Sequence, residues 1–98
     1  MTTNEDRERE SFAAENVLIE NAALCLRDFA RGDGSPVMAR EFADGLNALD
    51  FDEFTGSQSD TLRAACETLE AFETDDTPEL RRDAVRCAEA LEALNEAR

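Results

Sequence analysis

Carboxylates are the one reactive group this chain holds in quantity, and alone they support little catalysis. Asp and Glu number 24 against ten basic residues, a formal charge of −14 at neutral pH. Every base is an arginine, and Lys, His, Tyr and Trp are absent. That removes the imidazole base, the Schiff-base or phosphate-cradling lysine and the tyrosine acid. A di-iron bundle needs Glu-x-x-His and finds no histidine. Asp50-Phe51-Asp52 opens like a calcium loop. Its fifth, sixth and twelfth positions fall on Phe54, Thr55 and Thr61, and so the pattern fails. Cys25, Cys66 and Cys87 form no CxxC pair, and a zinc site built on them lacks its fourth ligand. Buried, reduced thiols are the expectation. We assign no catalytic residue, metal or cofactor, and the chain reads as a non-enzyme.

The charge is uneven along the sequence. From Glu41 to Asp76 there are eleven acids and a single base, Arg63, whereas residues 78–98 carry five acids and four arginines. Like charges at that density repel and cost stability, most at low ionic strength. Three explanations compete. The bulk composition, acidic and lysine-free, resembles that of proteins from salt-in halophiles, where molar salt screens the repulsion. A second explanation is mimicry of nucleic acid. Helix neighbours three and four residues apart stand about 5–6 Å from one another, comparable to the several-ångström spacing of phosphates on one DNA strand. Small phage and plasmid proteins that block restriction enzymes or CRISPR effectors are similar in size and composition, although no motif ties this chain to any of them. The third is a general acidic adaptor.

The partner-binding residues expected on this basis are Glu41, Asp44, Asp50, Asp52, Glu53, Glu67, Glu70, Glu73, Asp75 and Asp76. Phe51 and Phe54 join them as aromatic anchors ringed by charge if exposed, or cap the core if not. The implied partner is a basic protein surface, such as the groove of a nucleic-acid-binding protein. Direct binding to nucleic acid or an anionic membrane is disfavoured by the charge.

These residues need a scaffold, and the apolar spacing supplies one. Hydrophobic residues make up 42% of the chain, with only four Gly and two Pro, a foldable composition rather than a disordered acidic tail. Breakers at Gly32–Pro36, Asp50–Ser59 and Thr74–Pro78 leave four segments with a three-to-four-residue apolar period. The expected fold is all-α, a small four-helix bundle or helical array with a long first helix, in a single domain over residues 1–98. The first helix runs from about Asn4 to Arg31 with Phe12, Leu18, Ile19, Ala22, Ala23, Cys25, Leu26, Phe29 and Ala30 inward, its first ten or so residues projecting or frayed. Ser35-Pro36 starts the second, with Met38, Phe42, Gly45/Leu46 and Leu49 inward and Gly45 marking a close contact or a kink. Ser57 to Asp60 has capping-box spacing ahead of the third, whose stripe is Leu62, Ala65, Cys66, Leu69 and Phe72. Thr77-Pro78 starts the fourth, with Leu80, Ala84, Cys87, Leu91 and Leu94 on a heptad seam. A homodimer through the first or fourth helix is one use for the surplus length. No apolar run is long enough to span a membrane, and the N-terminus lacks a basic-then-apolar leader, so a cytoplasmic location is expected.

Overall fold

The computed structural model describes the backbone from Asn4 to Ala97 and the side chains from Ala14 onward to Ala97. It is an all-α bundle: α1 (Asn4–Ala30), α2 (Pro36–Asn47), α3 (Gly56–Ala71) and α4 (Pro78–Ala97), with a 3-10 turn at Phe51–Glu53 between α2 and α3. At 1.5 Å per residue α1 is about 40 Å long and α2 about 18 Å. The expected place of Phe12 on the inner face, and the expected projection of the first turns, concern side chains outside the described residues.

The helix ends follow local chemistry. Gly32 takes φ +85°, and its N–H donates to Phe29 O at 3.0 Å while Asp33 N–H donates to Asp28 O at 2.8 Å. These two bonds are the Schellman closure, which needs a residue free to enter the left-handed region. Thr77 caps α4 as expected, its Oγ1 accepting from Leu80 N–H at 3.1 Å. The other two caps differ from expectation. Ser35 stands at the start of α2 with extended backbone, but its side chain makes no capping hydrogen bond. The capping box of α3 begins at Thr55, not Ser57: Thr55 Oγ1 accepts from Gln58 N–H at 3.1 Å and Gln58 Oε1 accepts from Thr55 N–H at 3.0 Å. Thr with Gln three residues on is the standard reciprocal pair, and Gly56 tolerates the first helical position between them. The helix therefore starts earlier, and Ser59 is turned inward to donate to Phe51 O at 3.3 Å.

Packing runs around a ring, α1 on α2, α2 on α3, α3 on α4 and α4 back on α1. Connections of five to eight residues between consecutive helices favour antiparallel neighbours. Ile19, Leu26, Leu46, Leu62, Leu69 and Leu91 are wholly buried along the axis. Ala22, Ala39, Ala43, Ala65, Ala84 and Ala88 are equally enclosed and let the helices approach. Gly45 does mark a close contact, since a Cβ there would lie 3.0 Å from Leu18 Cδ1.

Two seams differ from expectation, α2 in phase and α4 at Leu80 and Cys87, while Ala84, Leu91 and Leu94 are buried as expected. Met38 is 41% exposed and does not belong to the inner face of α2. The buried line is Ala39, Ala43 and Leu46, spaced four and three residues, and Met38 sits one residue, about 100°, off it. On α4 the buried line is Ala84, Ala88, Leu91 and Leu94, with Leu80 and Cys87 only half-buried at its margin. Ala39 on α2 and Ala88 on α4 are wholly enclosed where the longer neighbours Met38 and Cys87 are not.

Candidate functional site

The carboxylates separate into two populations according to whether an arginine reaches them. Arg27 pairs with Glu92 at 2.5 Å across α1 and α4, Arg31 with Asp28, Arg81 with Asp76 at 2.7 Å and Arg86 with Asp83 at 3.4 Å. All four arginines stand on α1, its C-terminal extension or α4. On the α2–α3 side, Glu41, Asp44, Asp50, Asp52, Glu53, Glu67, Glu70, Glu73 and Asp75 are all exposed. None of them is in an ion pair among the described residues.

Among the described residues the bases on α2, α3 and their connection are Arg40 and Arg63. Arg63 is turned onto the ring of Phe51, its guanidinium carbon 5.5 Å from the centroid, a cation–π contact that ties the 3-10 turn to α3. Asp50 spends one oxygen on the turn itself, Oδ1 accepting from Asp52 N–H at 3.0 Å. What is left is a half-molecule whose outer surface carries uncompensated negative charge.

Three of the expected binding residues leave the site. Phe54 is buried against the core and Phe51 is half-buried on it, so neither serves as an exposed aromatic anchor. The physical reason is the turn, which folds both rings under the α2–α3 connection. Asp76 is neutralised: Arg81 donates to it from Nε at 2.7 Å and from a terminal nitrogen at 2.8 Å. Those bonds hold the Asp76 carboxyl below the usual carboxylate range and push Arg81 further up.

Between α3 and α4 lies an open groove of about 820 Å³. Asp60, Glu67 and Asp83 rim it, and Ala64, Cys87 and Ala90 lie among its shorter lining residues. Sequence reasoning passed over Asp60 and Asp83 here. The seven-residue step from Asp60 to Glu67 with Ala64 between was the available signal, and it is common on exposed helices. A smaller groove of about 400 Å³ lies between α1 and α2, with Leu24, Met38 and Phe42 in its walls.

Compared with protein families, curated proteins and solved structures, the chain matches none. Its chemistry must therefore be read from its own residues. Cys25, Cys66 and Cys87 are free thiols. Burial, reinforced by Asp28, pushes Cys25 up to about 11, and burial with Glu70 and Glu67 nearby does the same for Cys66. Both are inert as nucleophiles near neutral pH. Among the described residues no three Cys, Asp or Glu side chains converge as a metal site would require, and no helix is long and apolar enough to cross a membrane.

Proposed function

We propose that this protein is a non-enzymatic binding module whose α2–α3 side docks on a basic protein surface. The observation that carries this is an uneven distribution of ion pairs: the four among the described residues all use an arginine of α1, its extension or α4, where Glu20, Asp33, Glu79, Glu89 and Glu96 still stand exposed without one, whereas no acid of α2, α3 or their connection is paired. Uncompensated charge on one side focuses a field and speeds encounter with a cationic partner.

The sharper form of the reading is an inhibitor that imitates nucleic acid and occupies the groove of a defence enzyme, as anti-restriction and anti-CRISPR proteins do. Glu41–Asp44 and Glu67–Glu70 are the helical pairs at phosphate-like separation.

A second reading has its own observation. Val17 and Leu24 are each 53% exposed on α1, with Met38 exposed beside them on α2. A salt-adapted adaptor or homodimer would use these apolar faces, with the acidity reflecting environment alone.

One experiment separates the two. Circular dichroism is recorded at low salt and in molar KCl, and wild type and a Glu41→Gln/Asp44→Asn/Glu67→Gln/Glu70→Gln variant are compared in capture of a host nucleic-acid-binding protein. A binding module is folded at low salt, its capture is competed by duplex DNA, and the variant loses the target. Unfolding at low salt, reversed by the same substitutions, would establish the salt-adapted reading instead.

A further inference from the structure

We infer that the α3/α4 groove seats a basic amphipathic helix of the partner, an assignment that rests on the acidic-module reading above. The floor is built from short side chains, Ala64 on α3 and Cys87 and Ala90 on α4. Helix axes pack about 8–10 Å apart, closer as the residues at the contact become smaller, and this floor leaves room for a third helix within that range. The lined stretch of α3 runs from Ser57 to Thr68, about 17 Å or three helical turns. That length suits a helical segment better than a single side chain or a small metabolite.

The rim supplies the charge rule. Asp83 and Arg86 both line the α4 side and pair with each other at 3.4 Å, which leaves that side without net charge, while Asp60 and Glu67 on the α3 side have no ion-pair partner among the described residues. They stand seven residues apart on one helix face, about 10 Å along the axis. Lys or Arg residues seven apart on a partner helix repeat at the same pitch. A matching helix therefore sets its bases against the α3 rim and its small or apolar side on the floor. A strand of nucleic acid is repelled by the same rim, and a second copy of this chain brings its own −14 charge.

The probe is a fluorescein-labelled 18-residue helical peptide of Ala, Leu and Lys with lysines at seven-residue intervals, against a scrambled peptide of identical composition. Cys87 is the reporter, since it lines the groove and is half-exposed while Cys25 and Cys66 are buried. Bound patterned peptide slows maleimide labelling of Cys87, and the scrambled peptide does not. Asp60→Asn/Glu67→Gln weakens peptide binding about tenfold, the scale of two exposed charge contacts, and Glu20→Gln/Glu89→Gln, at exposed positions outside the groove, leaves it unchanged. Ala64→Leu fills an exposed floor position with a good helix former, so helicity is kept while binding falls by a similar factor. Equal binding of the scrambled peptide, or full binding by Ala64→Leu, overturns the groove. Loss in Glu41→Gln/Asp44→Asn alone overturns the groove and leaves the acidic-module reading standing. Unchanged binding of peptide and host target in every carboxylate variant overturns both.

Discussion

The rings of Phe29 and Phe72 stack with centroids 4.2 Å apart and planes 20° from parallel, locking the end of α1 to the end of α3. Both are nearly buried, and they sit where the first and third connections meet at one end of the bundle. Gly34 lies against the same cluster: a Cβ there would come within 2.3 Å of Phe29 Cγ. Phe29→Ala is expected to cost about 3–4 kcal/mol and Gly34→Ala about 1–3 kcal/mol from overpacking. For a chain this size each kcal/mol lowers Tm by roughly 4–8 °C, which a thermal melt reads directly. A Gly34→Ala protein melting with wild type would show that the ring is not held in place.

The start of α3 gives a two-sided test. Thr55→Ala removes the capping-box acceptor and should lose about 1 kcal/mol. Ser57→Ala, at the position its sequence context favours as the cap, should change stability by no more than about 0.5 kcal/mol. The reverse order in urea melts would place the cap at Ser57 after all.

Buried thiols make stability fall at high pH. Cys25 and Cys66 sit at about 11 in the folded protein and return to the ordinary thiol value on unfolding. A raised folded value means the native state holds its proton more tightly. The contribution is complete below about pH 8.5 and is lost as pH climbs to about 11. At about 1.4 kcal/mol per pH unit for each thiol the expected loss is up to about 5 kcal/mol for the pair, and Cys25→Ala/Cys66→Ala should flatten the profile. A wild-type profile level from pH 8 to 11 would contradict this burial.

Repulsion on the α2–α3 side should respond to modest salt. Raising ionic strength from 0.01 to 0.15 M shortens the screening length from about 30 to about 8 Å, and Tm should rise by several degrees. Glu67→Gln/Glu70→Gln/Glu73→Gln should remove much of that rise. Arg63→Ala should cost about 0.5–1 kcal/mol through its contact with Phe51, and it should steepen the salt dependence by deleting one of two local counter-charges. A salt response unchanged in all these variants would show that the acids of α3 do not govern it.

The number of helices, their order and the three regions that separate them were legible in the sequence. A 3.6-residue apolar period, proline at the first helical position and glycine just past the end are all local signals. The absence of Lys, His, Tyr and Trp was equally plain, because residue types that are missing cannot be folded into place. The phase of α2 was not legible, and on α4, where Ala84, Leu91 and Leu94 are buried as expected, the exchange of Cys87 for Ala88 at the centre was not legible either. Met38 and Cys87 are larger than Ala39 and Ala88, and hydrophobicity alone ranks them inward. Only the packing of the helices against one another decides that the alanine holds the centre.

The charge map divides the same way. Sequence counted the acids from Glu41 to Asp76 and saw the excess. It could not see that Arg81 reaches back to silence Asp76, that Arg63 spends itself on Phe51, or that Phe54 turns under the connection. Those outcomes depend on which side chains the folded backbone brings within a few ångströms, since contact electrostatics fall off with distance in space and not along the chain. Tertiary structure likewise decided that Asp60 and Glu67 overlook a groove, because a groove exists only where two helices lie side by side with short residues between them.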